Sequence, residues 1–315
     1  MTGLAVGVDV GGTKLAAGLV ASDGSVLAHR REETQASDPQ AIVSTIVDIV
    51  RSLAEGAGNV PVGVAAAGLV DDYGVVRYGP NIAWDGHSLR DDLAAKLDTA
   101  VAVDNDANAA AWGEFRVGAG KDMQSSLLML TVGTGVGGGL VQGGTLFHGK
   151  DGYGAEFGHI IIDEGGPQCP CGNLGCLEAH ASGSAIGRLA NELVDAGEGG
   201  AVLPGLAVLN GKTVTVAAHA GDPVAIEVLR RSGTWLGIGV ASLVNALAPE
   251  IVVLGGGAMQ AGDLLLEPCR KAAAARLMGR PERQLPPVVR ARLADDAGLV
   301  GAALLALDAA AAAGA

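Results

Sequence analysis

Leu4-Ala-Val-Gly-Val-Asp9-Val-Gly11-Gly12-Thr13-Lys14 is an apolar run that stops in a glycine turn, and the same grammar returns around residue 130. After the first turn Leu15 to Val20 resumes the apolar pattern, and Asp23-Gly24 predicts a hairpin into a strand that reaches Leu27. In the second copy Leu127 to Val132 runs into Gly133-Thr134-Gly135. Gly139-Leu-Val141 comes next, and Gly143-Gly144 turns the chain into Thr145-Leu-Phe147. Val10-Gly11 aligns with Val132-Gly133, and Gly18-Leu-Val20 with Gly139-Leu-Val141, with one residue fewer between. Two strand–turn–strand units predict two related domains, each opening on a turn whose backbone N–H groups suit phosphate.

Strands and helices alternate between these landmarks. Asp38-Pro39 is an N-cap and first-turn pair, after which Ile42, Ile46, Ile49 and Leu53 form one apolar face. Val60 to Ala66 reads as a buried strand ending at Gly68. Ala100 to Val103 reads as another, ending at Asp104-Asn105-Asp106, with a helix over Ala107 to Phe115. Helices are expected over Ser184 to Ala196, over Pro223 to Leu247 and from Gly298 onward, and a strand over Ile251 to Leu254. The class is α/β. The expected division is a smaller domain over 1–110, completed by a C-terminal helix over 298–315, and a larger one over 111–297.

The chain has 315 residues, 49% hydrophobic but only 3% aromatic, so its cores must be built from Ala, Val, Leu and Ile. Its 50 glycines exceed what turns alone require. A net charge of −13 argues against nucleic acid or an anionic membrane surface as a partner, while local backbone dipoles still admit a polyanion such as ATP. The N-terminal stretch lacks the pattern of a signal peptide, and the apolar segment Trp235 to Leu254 is broken by Asn245, Pro249 and Glu250. A cytoplasmic location is expected.

Two near-matches to nucleotide motifs fail in context. Gly133-Thr-Gly135-Val-Gly-Gly138 fits G-x-G-x-x-G, but Gly139-Leu-Val141 beyond it reads as a strand rather than the helix that the dinucleotide fingerprint needs. Gly144-Thr-Leu-Phe-His-Gly149-Lys150 is a P-loop up to Asp151, where a carboxylate replaces the hydroxyl that would reach Mg²⁺.

The densest chemistry lies in Glu156-Phe-Gly-His159 and Cys169-Pro-Cys171-Gly-Asn-Leu-Gly-Cys176-Leu-Glu178. Three thiols and an imidazole make a closed shell for a structural Zn²⁺, leaving Glu156 and Glu178 for other work. A redox switch is the competing reading, although a Cys169–Cys171 disulfide would be strained. Cys269 is remote and reads as a buried or spare thiol.

Taken together, these residues resemble those of actin-like, sugar-kinase-type ATPases with a ribonuclease H-like fold, in which two related domains flank a cleft. The E-x-G-H and C-x-C-G-x-x-G-C-x-E patterns narrow the resemblance to the ROK family of sugar kinases and regulators. Ala67 stands where that family often carries Pro. The resemblance implies ATP-dependent phosphorylation of a hexose, glucose first, at its 6-hydroxyl. N-acetylmannosamine, fructose and mannose are alternative substrates, and a sugar-sensing regulator is the reading of a different class. No room is expected before Leu4 for the helix-turn-helix of such regulators.

The resemblance also implies roles. Asp106 would be the general base, its competing reading being an N-cap for the following helix. Gly68, Asn81, Asn105, Glu156, His159 and Glu178 would hold the sugar, with His159 also on Zn²⁺ beside Cys169, Cys171 and Cys176. On local pattern Asn81 is equally a turn residue. Asp9 would stand near Mg²⁺, or be an ordinary strand-end polar residue. Gly11, Gly12, Thr13 and Lys14 would face phosphate from one domain, Thr134 and Gly135 from the other, and Gly255 and Gly256 would pass close to adenosine. A lysine such as Lys14 is by default merely solvated. A homodimer or homotetramer is implied as well.

Overall fold

The computed structural model describes residues 3–313 apart from Pro80, Asp85, Gly199 and Ala201. By internal contacts the chain forms two compact units. The first runs up to Leu127, then takes in Gly139–Ala155 and the chain from Ala291 onward. The second comprises Leu128–Gly138 and Glu156–Arg290. A cut at 110/111 would fall inside a helix, Asp106–Arg116.

In the first unit, β1 (Leu4–Val10), β2 (Lys14–Ala21), β3 (Val26–Glu33), β4 (Val62–Ala66) and β7 (Val101–Asn105) make a five-stranded sheet in the order β3-β2-β1-β4-β7. The first three strands are antiparallel, and β1, β4 and β7 are parallel. A short pair, β5 (Leu69–Val70) and β6 (Val76–Tyr78), stands apart. β3 runs past the expected Leu27 because it is an edge strand: Arg30 to Glu33 keep the ladder while their side chains meet water. Helix α1 (Pro39–Leu53) is capped by Asp38, whose carboxylate accepts the N–H groups of Gln40 and Ala41. Its Ile42, Ile46, Ile49 and Leu53 enter the core with Val6, Val8, Val62 and Trp84, beside α2 (Leu89–Leu97). Helix α3 (Asp106–Arg116) follows β7 directly.

The remaining strands are β8 (Leu127–Val132), β9 (Val136–Gln142), β10 (Thr145–Leu146), β11 (Val252–Gly255) and β12 (Val288–Arg290), ordered β10-β9-β8-β11-β12. Both sheets thus carry the sequence 3-2-1-4-5, the order of the actin-like ATPase fold that the glycine hairpins announce. Helices α4 (Leu177–Ala181), α5 (Gly183–Asp195), α6 (Gly211–His219), α7 (Pro223–Leu247) and α8 (Asp263–Arg276) complete the second unit, and Cys269 lies in its aliphatic core.

The last helix, α9 (Ala297–Ala313), belongs to the first unit. With its preceding turn it is long and apolar enough to cross a membrane, yet Leu299, Val300, Ala302, Ala303 and Leu304 are buried in that unit. The seat is made by two glycines: a Cβ at Gly7 would run into the Leu299 carbonyl, and one at Gly63 into that of Ala302. The helix can therefore lie directly on β1 and β4.

Candidate active site

Register gathers the candidate residues of the first unit. Val10, Ala66 and Asn105 stand in one row across β1, β4 and β7, with Asp9, Ala65 and Asp104 in the row before it. The carboxyl ends of these parallel strands lead into Gly11 to Lys14, Gly68 and Asp106, the end of an open α/β sheet where ligands are held. Gly11 donates its N–H to the Lys14 carbonyl at 3.0 Å, closing a turn on which Thr13 and Lys14 are exposed. Asn81 lies against that turn, since a Cβ added at Gly12 would sit 2.7 Å from its own.

Asn105 and Asp106 divide their work unexpectedly. The helix cap is Asn105, not Asp106: its Oδ1 accepts the Ala107 and Asn108 N–H groups at 2.9 and 3.1 Å. Its Nδ2 donates to the Gly68 carbonyl at 2.9 Å. Asp106 is the first residue of α3 and accepts the Ala107 N–H at 2.9 Å. Burial lifts its pKa above the usual carboxylate range. Asp9 keeps a little accessible surface, but desolvation first and the like charge of Asp106 second raise its pKa to about 7. Neighbouring carboxylates that repel one another are a setting a divalent cation relieves, so Asp9 fits a place beside Mg²⁺.

One pair here was not foreseen. His148 Nε2 meets Asp104 Oδ2 at 2.6 Å, and this partner raises the imidazole pKa. Asp104 adjoins the motif already singled out, and His148 lies in the stretch rejected as a P-loop. No local signal joins them, because the pairing is long-range.

In the second unit β8 and β11 are neighbouring parallel strands, with Gly255 paired to Thr131. Thr134 and Gly135 follow β8, and Gly256 follows β11, so both glycine turns leave the same end of the sheet. Ser184 Oγ donates to the Thr134 carbonyl at 2.9 Å, and the Gly183 N–H donates to that of Gly133 at 2.8 Å. These bonds brace the first of the two turns. As expected, it leads into a strand and not a helix.

His159, Cys169, Cys171 and Cys176 bring their ligand atoms within 4.8 Å of one another. Cys171 and Cys176 Sγ are 3.6 Å apart, as are Cys169 Sγ and His159 Nδ1. A tetrahedron with metal–sulfur bonds of about 2.3 Å has edges of about 3.8 Å, so the donor set fits Zn²⁺. Burial pushes the Cys169 thiol up to about 12, whereas the Asn173 N–H holds Cys171 below its usual range. A cation would offset the cost of the buried thiolates. With Nδ1 turned to the cysteines, His159 presents Nε2 toward Glu156, 4.0 Å from its Oε2. Glu178 faces Cys169 Sγ with Oε1 at 3.8 Å, and its Oε2 accepts the Val136 N–H at 2.8 Å. A Cβ at 135 would displace that carboxylate from the Val136 N–H. Glu178 thus ties the cysteine loop to the glycine turn, a link that spacing alone did not reveal.

The model of the ROK family matches residues 5–309. The chain is 41% identical to a glucokinase of Streptomyces coelicolor over 96% of its own length and 98% of that protein. It is 35% identical to an N-acetylmannosamine kinase of Escherichia coli, over 98% and 99% of the two chains. Among solved structures it is similar to a ROK family glucokinase from Streptomyces griseus in complex with glucose and AMPPNP. That similarity has a TM-score of 0.84 at 39% identity, covering 97% of this chain and all of the other.

Proposed function

The chain belongs to the ROK family, and from that premise we propose that it transfers the γ-phosphoryl group of ATP to the 6-hydroxyl of glucose. The observation that carries the choice of sugar is the near full-length likeness to a bacterial glucokinase. Asp106 takes the hydroxyl proton; a base so placed is worth about 10²–10⁴-fold in rate. Its pKa, raised by burial, makes it a better proton acceptor than an ordinary carboxylate. Gly68, Asn81, Asn105, Glu156, His159 and Glu178 hold the sugar. Asn105 does so partly by fixing Gly68, whose carbonyl it binds.

Gly11, Gly12, Thr13 and Lys14 in one unit, and Thr134 and Gly135 in the other, take the phosphates, and Gly255 and Gly256 pass along adenosine. Backbone donors dominate, as transfer to an alcohol needs positioning and charge neutralisation above all. Asp9 stands near the Mg²⁺ that accompanies ATP and lowers the phosphate charge. His159, Cys169, Cys171 and Cys176 hold a Zn²⁺ that stiffens their loop. We assign the enzyme to the cytoplasm as a homodimer or homotetramer.

Asp106→Asn tests the mechanism: turnover should collapse by at least a hundredfold while glucose binding, measured by calorimetry, persists. Unchanged turnover would remove Asp106 from the chemistry. A panel of sugars with ATP, followed by ADP release, tests the substrate. N-acetylmannosamine turning over faster than glucose would favour the other family activity, and binding of sugars without any turnover would favour a sensor.

A further inference from the structure

We propose that His148 is a positioning residue for the phosphoryl transfer, acting through Asp104 to hold the first turn of α3 and with it the carboxylate of Asp106. The inference rests on the assignment of Asp106 as base. A continuous line of contacts joins the two residues. His148 Nε2 meets Asp104 Oδ2 at 2.6 Å, and Asp104 Oδ1 accepts the Asn105 N–H at 2.7 Å and the Asn108 Nδ2 at 3.1 Å. Asn105 in turn caps α3 and grips Gly68. A single aspartate thus holds the backbone just before the base and a side chain just after it.

His148 lies in Gly139–Ala155, which belongs to the first unit although the chain on either side belongs to the second. Upstream that segment continues from the Gly133–Gly135 turn, and downstream it leads into Glu156. The pair with Asp104 fastens this passage to β7 beside the base. It is sheltered, with Asp104 13% and His148 35% exposed. Beside it lies a cavity of about 180 Å³, lined also by Val70, Asp71, Asp72, Val103 and Gly152.

The groups facing His148 are acidic. Asp72 adds to the field of Asp104, while Asp71 is already engaged by Arg77 at 2.6 Å and by the N–H groups of Tyr73 and Val75. Imidazolium is therefore favoured, and the charged pair is complete below the raised pKa of His148 and weakens as pH rises through it. Turnover should carry an alkaline limb from this group, separate from the acidic limb of the carboxylates.

The experiment uses His148→Ala and His148→Gln in the whole chain, with circular dichroism to confirm folding. For the alanine variant, kcat should drop on the order of 10–100-fold, with KM for glucose moving less, because a base displaced by a fraction of an ångström loses rate before it loses binding. Added imidazole, entering by the cavity, should restore at least a tenth of the lost activity. The glutamine variant keeps a neutral donor, so it should retain more turnover but lose the alkaline limb. A folded alanine variant with kcat within twofold of the parent across the pH range would overturn the proposal. So would a loss that neither imidazole nor glutamine relieves. If the alanine variant does not fold, an alkaline limb left in place in His148→Gln overturns it equally. Asp106→Asn run alongside keeps the two assignments apart: an active Asp106→Asn enzyme refutes the base, whereas an indifferent His148 refutes only the positioning role.

Discussion

Asp9 sets function against stability. Its carboxyl group titrates near about 7 in the folded protein against 3.8 for an ordinary aspartate, so between those values the folded state holds a proton that the unfolded chain has released. Stability should therefore rise as pH falls through this window, be lost as pH rises toward the folded value, and stay level above it. The ionised form is the one that suits a neighbouring cation. Asp9→Asn should raise Tm by a few degrees at pH ~8 in Mg²⁺-free buffer, by an amount that shrinks below pH ~6, while turnover is lost. Equal melting temperatures for the two proteins at the higher pH would show that Asp9 carries no such cost. Residue identity was readable here to a point. A strand end followed by polar residues marked Asp106, and the family resemblance added Asp9 and Asn105, but both Asn and Asp serve as caps. A shift of one residue decided that Asn105 takes the cap, which leaves Asp106 available for the proposed role. The proximity of Asp106 to Asp9, and of His148 to Asp104, arises from strand pairing and has no local trace.

Among the elements, the cysteine loop was the most legible, because the four residues that could hold a metal fall in one short segment and come together in space. Less visible was the carboxylate of Glu178 reaching back to the Val136 N–H, which makes the loop a neighbour of the glycine turn after β8. Removing metal should therefore disturb two functions at once. We expect about one zinc per chain by elemental analysis. Dialysis against a chelator should make the 156–178 segment sensitive to protease, weaken glucose binding at least tenfold and also raise KM for ATP. Metal-free protein that binds glucose as before would end the structural role. Other elements escaped the sequence for definite reasons. α8 carries Pro268 in its interior, a residue that argues against a helix. β3 continues through polar residues because an edge strand needs only backbone partners on one side.

Over the whole molecule, the duplicated sheet order was announced by the paired hairpins, whereas the membership of Gly139–Ala155 in the first unit was not. α9 is apolar nearly all round, so its periodicity names no partner; its place is set by the bare backbone at Gly7 and Gly63. Charge is the property that only the complete chain has. A net charge of −13 belongs to a protein proposed to bind a phosphate-rich anion, with Lys14 the one basic side chain assigned to it. If the summed field repels ATP at long range, screening should help the encounter, since the Debye length shortens from about 30 Å at roughly 0.01 M salt to about 8 Å at roughly 0.15 M. KM for ATP should then fall about two- to threefold over that range in tetramethylammonium chloride, a salt without a small coordinating cation. KM for glucose, which is uncharged, should stay level and serves as the control. A KM for ATP that rises with salt would mean that Lys14 and the backbone donors of the glycine turns outweigh the acidic surface, and that the local field guides the nucleotide.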